Sequence, residues 1–344
     1  MTKLVNFIYC ILILFLLPIF VEGQGQVSGE LFIMFYNVEN YFDTINNPLT
    51  QDEFTPNDVY EWTHERFIKK RNAIARVITD INVENLPDII GLCEIENYYV
   101  LQQLINSTTL RRYDYSILHH DSPDTRGIDV ALLYNNKRLY LLDSLFFLMG
   151  NEELNKQKRE ILYAKALIDE RDTVHIFVSH FPSKRDGARK TAPLRMSAAQ
   201  ALRKAADSIL MYQSQANILM MGDFNDTYKS ETLTQGLQVN FSYTNISNTK
   251  LYNVSALLAE AGDGSIKYRN RWQLVDMFLV SGNLLNPNSD LYCKPSDTGI
   301  FMADHLLEYV PAANSYRPKA TYRWINYIGG YSDHLPIYMK IYRK

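Results

Sequence analysis

The chain has 344 residues, 47% of them hydrophobic and 21% charged, with 15 glycines and 12 prolines, which excludes disordered, collagen-like and low-complexity classes. A formal net charge of −3 gives no overall positive field for nucleic acid or an anionic membrane. Its 3 cysteines cannot build a disulfide framework, and no Cys-x-x-Cys pair suggests a thiolate zinc site.

In chain order, Lys3, an apolar run from Phe7 to Phe20 and the small residue Gly23 read as a secretory signal peptide over residues 1–23. A membrane anchor is the competing reading, but the run is short for a span of about 20 residues and Pro18 interrupts it. No later segment is long and apolar enough to span a bilayer, so no membrane insertion is expected after cleavage, and a monomer is expected. Residues 31–36 read as a buried strand. Residues 61–79 place Phe67, Ile74 and Ile78 on one face opposite charges, which predicts a helix. Strands are predicted at 88–95 after the Leu86-Pro87 break, and at 128–134, 161–168 and 174–179. An alanine-rich helix with Pro at its start follows over 193–212. Strands at 218–221, 274–280 and 335–341 complete the series. Residues 46–58, 245–250 and 283–297 are rich in Asn, Asp, Ser and Pro and read as surface excursions. The alternation predicts one α/β domain over residues 30–344 with a mixed sheet. Cys93 and Cys293 are expected as free, buried thiols rather than a bridge.

Polar residues stand at the ends of these apolar strands, where a sheet holds side chains rigidly at its rim. They are Asn37-Val38-Glu39-Asn40, Cys93-Glu94, Ser179-His180, Gly222-Asp223-Phe224-Asn225 and Ser332-Asp333-His334, with Asp276 inside another strand. Singly, each has a plain explanation: a turn, a cap, a core histidine, or for Asp276 an ion pair with Arg269 or Arg271. Jointly they are costly to bury unless a cation or proton neutralises the acids. Hard oxygen donors with neighbouring histidines suit Mg²⁺ and phosphoryl chemistry.

In this order the segments resemble the endonuclease/exonuclease/phosphatase family, from Leu31 to Tyr338; Gly-Asp-x-Asn and Ser-Asp-His-x-Pro are the most specific pieces. The resemblance implies an α/β four-layer sandwich, two mixed β-sheets packed face to face with helices outside. It implies metal ligation by Glu94, with Asn37, Glu39 and Asp333 assisting, and Mg²⁺ as the ion, with Mn²⁺ or Ca²⁺ as alternatives. Asp223 would orient or activate water, Asn225 would fix it, His180 would donate to a phosphate oxygen, and His334 would stabilise transition-state charge while Asp276 orients it. Arg126-Gly127 resembles a common pair of the family, though Asp129 departs from it. Arg159-Glu160 resembles a phosphate-side motif without its proline. Asp304-His305 lacks the following x-Pro and is set aside.

Beyond His180 lies a basic stretch containing Lys184, Arg185 and Arg189, either a solvated loop or a positive rim for a phosphodiester backbone. Similar loops in exported bacterial members favour a largely non-specific nuclease acting on nucleic acid. The alternatives are a phosphatase or phospholipase-type member acting on inositol phosphates or sphingomyelin, and a binding module without turnover. Residues 324–328 (Trp-Ile-Asn-Tyr-Ile) could touch lipid but are expected to pack under the closing strand.

Overall fold

Strand β1 (Glu30–Tyr41) is apolar on both faces because it lies between two buried layers. Leu31, Ile33 and Phe35 join a core with Ile176, Val178, Leu219 and Met221 of a second sheet, while Met34, Tyr36 and Val38 face outward against Phe67, Ile74 and Ile78 of helix α1 (His64–Asp80). The period-2 alternation of a strand thus serves two cores rather than a core and solvent. The computed structural model describes residues 29–50, 53–150 and 158–344, so the signal peptide predicted for residues 1–23 lies outside the described residues.

The first sheet further contains β2 (Ile89–Ile95), β3 (Tyr115–His119) and β4 (Asp129–Asn135). The second contains β5 (Leu139–Leu148), β6 (Glu160–Ile168), β7 (Asp172–His180), β8 (Asn217–Asp223), β9 (Val239–Asn240), β10 (Leu251–Asn253) and β11 (Asp276–Ser281). Three later strands, β12 (Leu291–Cys293), β13 (Gly299–Ile300) and β14 (Ile337–Arg343), return to the first sheet. Its order is β12-β14-β1-β2-β4-β3, with β13 also on β14; the second runs β5-β6-β7-β8-β11-β10-β9. Both sheets have 7 strands and both are mixed: β1–β2 and β7–β8 are parallel, whereas β1–β14 and β8–β11 are antiparallel. Helices α1 and α2 (Tyr98–Asn106) cover the first sheet, and Ala198, Leu202 and Ala206 of α3 (Ala188–Tyr212) cover the second. This is the predicted four-layer sandwich.

Several boundaries differ from those read in the sequence. Helix α3 begins at Ala188 rather than Pro193, so the proline is interior. The extra turn is held by Arg195, which donates to the Ala188 carbonyl at 2.9 Å and to Thr191 Oγ1 at 2.7 Å. The excursion over 283–297 contains β12, an edge strand paired with β14. Helix α2 and strands β3 and β5 were not anticipated.

The sheets approach closely at Gly91, where a Cβ would lie 2.5 Å from Met221 Sδ of the second sheet and 3.0 Å from Phe35 Cδ2 of the adjacent strand. Gly91→Val should therefore cost about 1–3 kcal/mol by overpacking, read as a lower urea midpoint at constant slope. An unchanged midpoint would contradict the close approach.

Candidate active site

The carboxyl ends of the parallel pairs β1–β2 and β7–β8 open at one end of the sandwich. Register carries the rest there: His180 and Asp276 both pair opposite Asp223. Register breaks between Asn37 and Tyr41 on β1, and between Cys93 and Ile95 on β2, turn side chains out of the ladder. Glu39, Asn40 and Glu94 accordingly take left-handed backbone, with φ of 54°, 50° and 63°, as does Asn225 at 49°. Four non-glycine residues in this region at one rim mark a place where geometry is held against local preference.

Asp223 is the hub, fully buried. Its Oδ2 accepts from Asn37 Nδ2 and Asn225 Nδ2, each at 3.2 Å, and its Oδ1 accepts from the Asn225 amide at 2.8 Å. His180 Nε2 stands 3.6 Å from Asp223 Oδ2 and 3.9 Å from Glu94 Oε1, and His334 Nε2 stands 3.8 Å from Asp223 Oδ2. The opposite face of His334 is held by Asp276, Nδ1 to Oδ2 at 2.7 Å. Glu94 accepts from the Asn40 amide at 2.9 Å, and Asn40 Oδ1 accepts from Arg126 at 3.2 Å.

Protonation follows from these surroundings. Burial, then Asp276 beside it, raises the Asp223 pKa to about 7. Burial opposes charge on His334, but Asp276 and Asp223 outweigh it and hold its pKa well above the ordinary imidazole value. Burial, aided by Arg159 and Arg126, holds His180 well below that value, so it is neutral. Burial also disfavours the Glu94 anion, yet Arg126 and His334 overcome this and its pKa is lowered. Asp276→Asn should release His334 and move the alkaline limb of the rate profile down by about 1 pH unit or more. A limb that stays in place would remove Asp276 from the orienting role.

The structure brings Asn37, Glu94, His180, Asp223, Asn225, Asp276 and His334 together, with Arg126 behind Glu94. Asp333 is exposed at the same rim, within electrostatic reach of Glu94 and His334. Glu39 does not offer its carboxylate to the cluster as a metal ligand: it accepts from the backbone amides of Thr321 at 2.6 Å and Tyr322 at 3.2 Å, near Lys70, and pins that loop instead. Arg159 is 3% exposed, donating to Asp124 at 3.1 Å and to the Phe181 carbonyl at 3.2 Å, so it braces the loops rather than facing outward as a substrate-binding residue would. Lys184 is paired with Asp226 at 2.7 Å and, like Arg185 and Arg189, is exposed. Trp324 does not pack under the closing strand; it is 88% exposed at a hairpin tip. His305 lies 3.5 Å from Asp80 on α1, apart from the cluster, and Cys93 and Cys293 are free and buried. Asp124, which holds Arg159, and Lys70, which donates to the Tyr331 carbonyl near Glu39, carry no local sequence pattern that marks them.

The donor set fits a hard divalent cation. Glu94 and Asp223 direct carboxylate oxygens at the same imidazole, and Asp276 Oδ1 is buried with no hydrogen-bond partner among the described residues. Oxygen donors dominate, which suits an ion that keeps part of its hydration.

A sequence profile described as Endonuclease/Exonuclease/phosphatase family matches residues 32–343. No curated protein matches the chain by sequence. Among solved structures, an endonuclease/exonuclease/phosphatase family protein from Bacteroides thetaiotaomicron is 14% identical with a TM-score of 0.56, covering 92% of this chain and 98% of that one. A mannosyl-6-phosphatase of Bacteroides thetaiotaomicron is similar at 14% identity and TM-score 0.56, covering 90% and 99%. TDP2 of D. rerio, complexed with a single-strand DNA product, is similar at 14% identity and TM-score 0.55, covering 91% and 99%. With the profile spanning both sheets and every strand-end motif, the chain belongs to the endonuclease/exonuclease/phosphatase family of metal-dependent phosphoesterases.

Proposed function

We propose that the chain is an exported, Mg²⁺-dependent phosphodiesterase that cuts nucleic acid with little sequence preference. The observation carrying this reading is one buried carboxylate, Asp223, whose Oδ2 lies 3.6 Å from His180 Nε2 and 3.8 Å from His334 Nε2. With a pKa of about 7, Asp223 is suited to orient an attacking water and take its proton near neutrality, and Asn37 and Asn225 fix its direction. His180 is placed to donate from Nε2 to a non-bridging phosphate oxygen. His334, aligned by Asp276, is placed to offset the negative charge that grows in the transition state. Magnesium held by Glu94 and its neighbouring oxygens would polarise the phosphoryl group.

A polyanionic substrate is favoured by the rim. Arg185, Arg189 and Lys190 are exposed on the segment after His180, and Arg185 is near enough to Arg126 to disfavour its charge. No pattern for reading base edges accompanies them, so backbone contacts would dominate. Plasmid nicking with Mg²⁺ but not with EDTA is the expected result. In Arg185→Glu/Arg189→Glu, KM should rise and the salt dependence of binding should flatten by about 2 in slope, with hydrolysis of a small phosphodiester unchanged. Turnover of sugar or inositol phosphates or sphingomyelin, with DNA and RNA untouched, would replace this reading by the phosphatase or phospholipase one. Export rests on residues 1–23; a mature protein beginning at Gln24 outside the cytoplasm is expected, and an uncleaved cytoplasmic chain would reject it.

A further inference from the structure

We propose that His119, Asp121 and Asp129 form a second cation site, of the zinc class, that locks the loop delivering Arg126 to the active site. His119 ends β3 and Asp129 opens β4, so the cluster closes the connection over residues 120–128. The His119 side chain is 1% exposed, and its Nε2 is buried with no hydrogen-bond partner among the described residues. Its ring lies between two acids, Nδ1 3.6 Å from Asp121 Oδ1 and Nε2 3.6 Å from Asp129 Oδ2. Those separations are too long for hydrogen bonds, so the carboxylates gather around the imidazole without satisfying it. One nitrogen and one oxygen from each acid lie within 4.8 Å of one another.

Ligands at about 2.0–2.2 Å from a common ion sit at most about 4 Å apart, and Asp121, which now stands nearest Nδ1, must rotate toward Nε2 to join Asp129 on one ion. Asp121 is 72% exposed and free to make that rotation, and it provides the route of entry. Asp129 is already aimed: its Oδ1 is held by the Ser122 amide and hydroxyl, which leaves Oδ2 toward the histidine. A carboxylate fixed through one oxygen while the other faces a vacant donor is the usual outer support of a metal ligand. The imidazole sets the chemistry apart from the oxygen-rich cluster around Asp223, because Ca²⁺ and Mg²⁺ prefer oxygen while imidazole suits zinc.

The loop so closed carries two residues that matter next door. Asp124 caps the Arg126 amide at 2.7 Å and pairs with Arg159, and Arg126 reaches Asn40. An ion at the loop's base would fix both without touching substrate.

The test is zinc binding by the full chain after chelator stripping and equilibrium dialysis. Glu94→Gln/Asp223→Asn, which disables the first cluster, should still hold one zinc per chain. Adding His119→Gln should abolish that zinc, and adding the exposed change Asp121→Asn, which carries no folding risk, should weaken it at least tenfold. Cobalt should give visible absorption in the parent double variant that disappears with His119→Gln. No zinc in the parent double variant, or zinc retained after both additions, would overturn the proposal.

Discussion

Asp223→Asn should lose about 10²–10⁴-fold in kcat and yet melt higher than the parent protein at pH 8 in EDTA. The loss follows from removing the one carboxylate that both imidazoles face. The gain follows from linkage. Burial raises the folded pKa of this acid to about 7, above its unfolded value, so ionisation favours the unfolded chain. That destabilisation is absent below the unfolded pKa, grows as pH rises between the two values, and is complete above the folded one. The asparagine keeps the shape and removes the charge, so the difference in Tm should be about 2 °C or more at pH 8 and vanish near pH 4. A variant that melts lower than the parent at pH 8 would show that the carboxylate is neutralised within the fold itself.

Asp226→Ala should produce the largest loss of stability, about 3–5 kcal/mol at neutral pH by denaturant unfolding. Arg195 is 2% exposed and donates to Asp226 at 3.3 Å, and the carboxylate also accepts from Lys184 at 2.7 Å, Thr232 at 2.8 Å and the Thr227 amide at 3.1 Å. Removing the acid leaves a buried guanidinium without its counter-charge. Burial alone would raise the Asp226 pKa, but Lys184, Thr232 and Arg195 lower it. Its contribution is therefore present above the unfolded pKa and fades as pH falls through the lower folded value. Parent and variant should converge in stability only at strongly acidic pH. Equal unfolding midpoints at pH 7 would show that Arg195 is satisfied by the Thr191 hydroxyl and the Ala188 and Pro182 carbonyls alone.

The sandwich and most of the cluster were legible because polar residues interrupt apolar strands at their ends, as Gly222-Asp223 and Ser332-Asp333-His334 do. Whatever depended on a distant partner was not. Glu39 looks like a further ligand in sequence, and only the amides of Thr321 and Tyr322, 282 and 283 positions away, show where its oxygens go. Arg159 and Lys184 carry the charge expected of phosphate contacts, but Asp124 and Asp226 claim them. Helix α2 did leave a readable mark: Asn97 caps the Val100 amide, with Leu101, Leu104 and Ile105 following at helical spacing. Its shortness hid it. The start of α3 left none, since Gly187 and an interior proline both argue against a helix that Arg195 sustains by bonds back to its first turn.

Pairing of β1 with β14, Leu31 opposite Ile341 and Ile33 opposite Met339, has a bearing on biogenesis. The ribosome emits β1 roughly tens of seconds before β14 and the adjoining His334 emerge. Until then the first sheet lacks the strand beside β1, and Asp276 has no imidazole to hold. With His334 in its proposed role, nascent or prematurely terminated copies would be inert toward phosphate esters, a consequence of strand order alone.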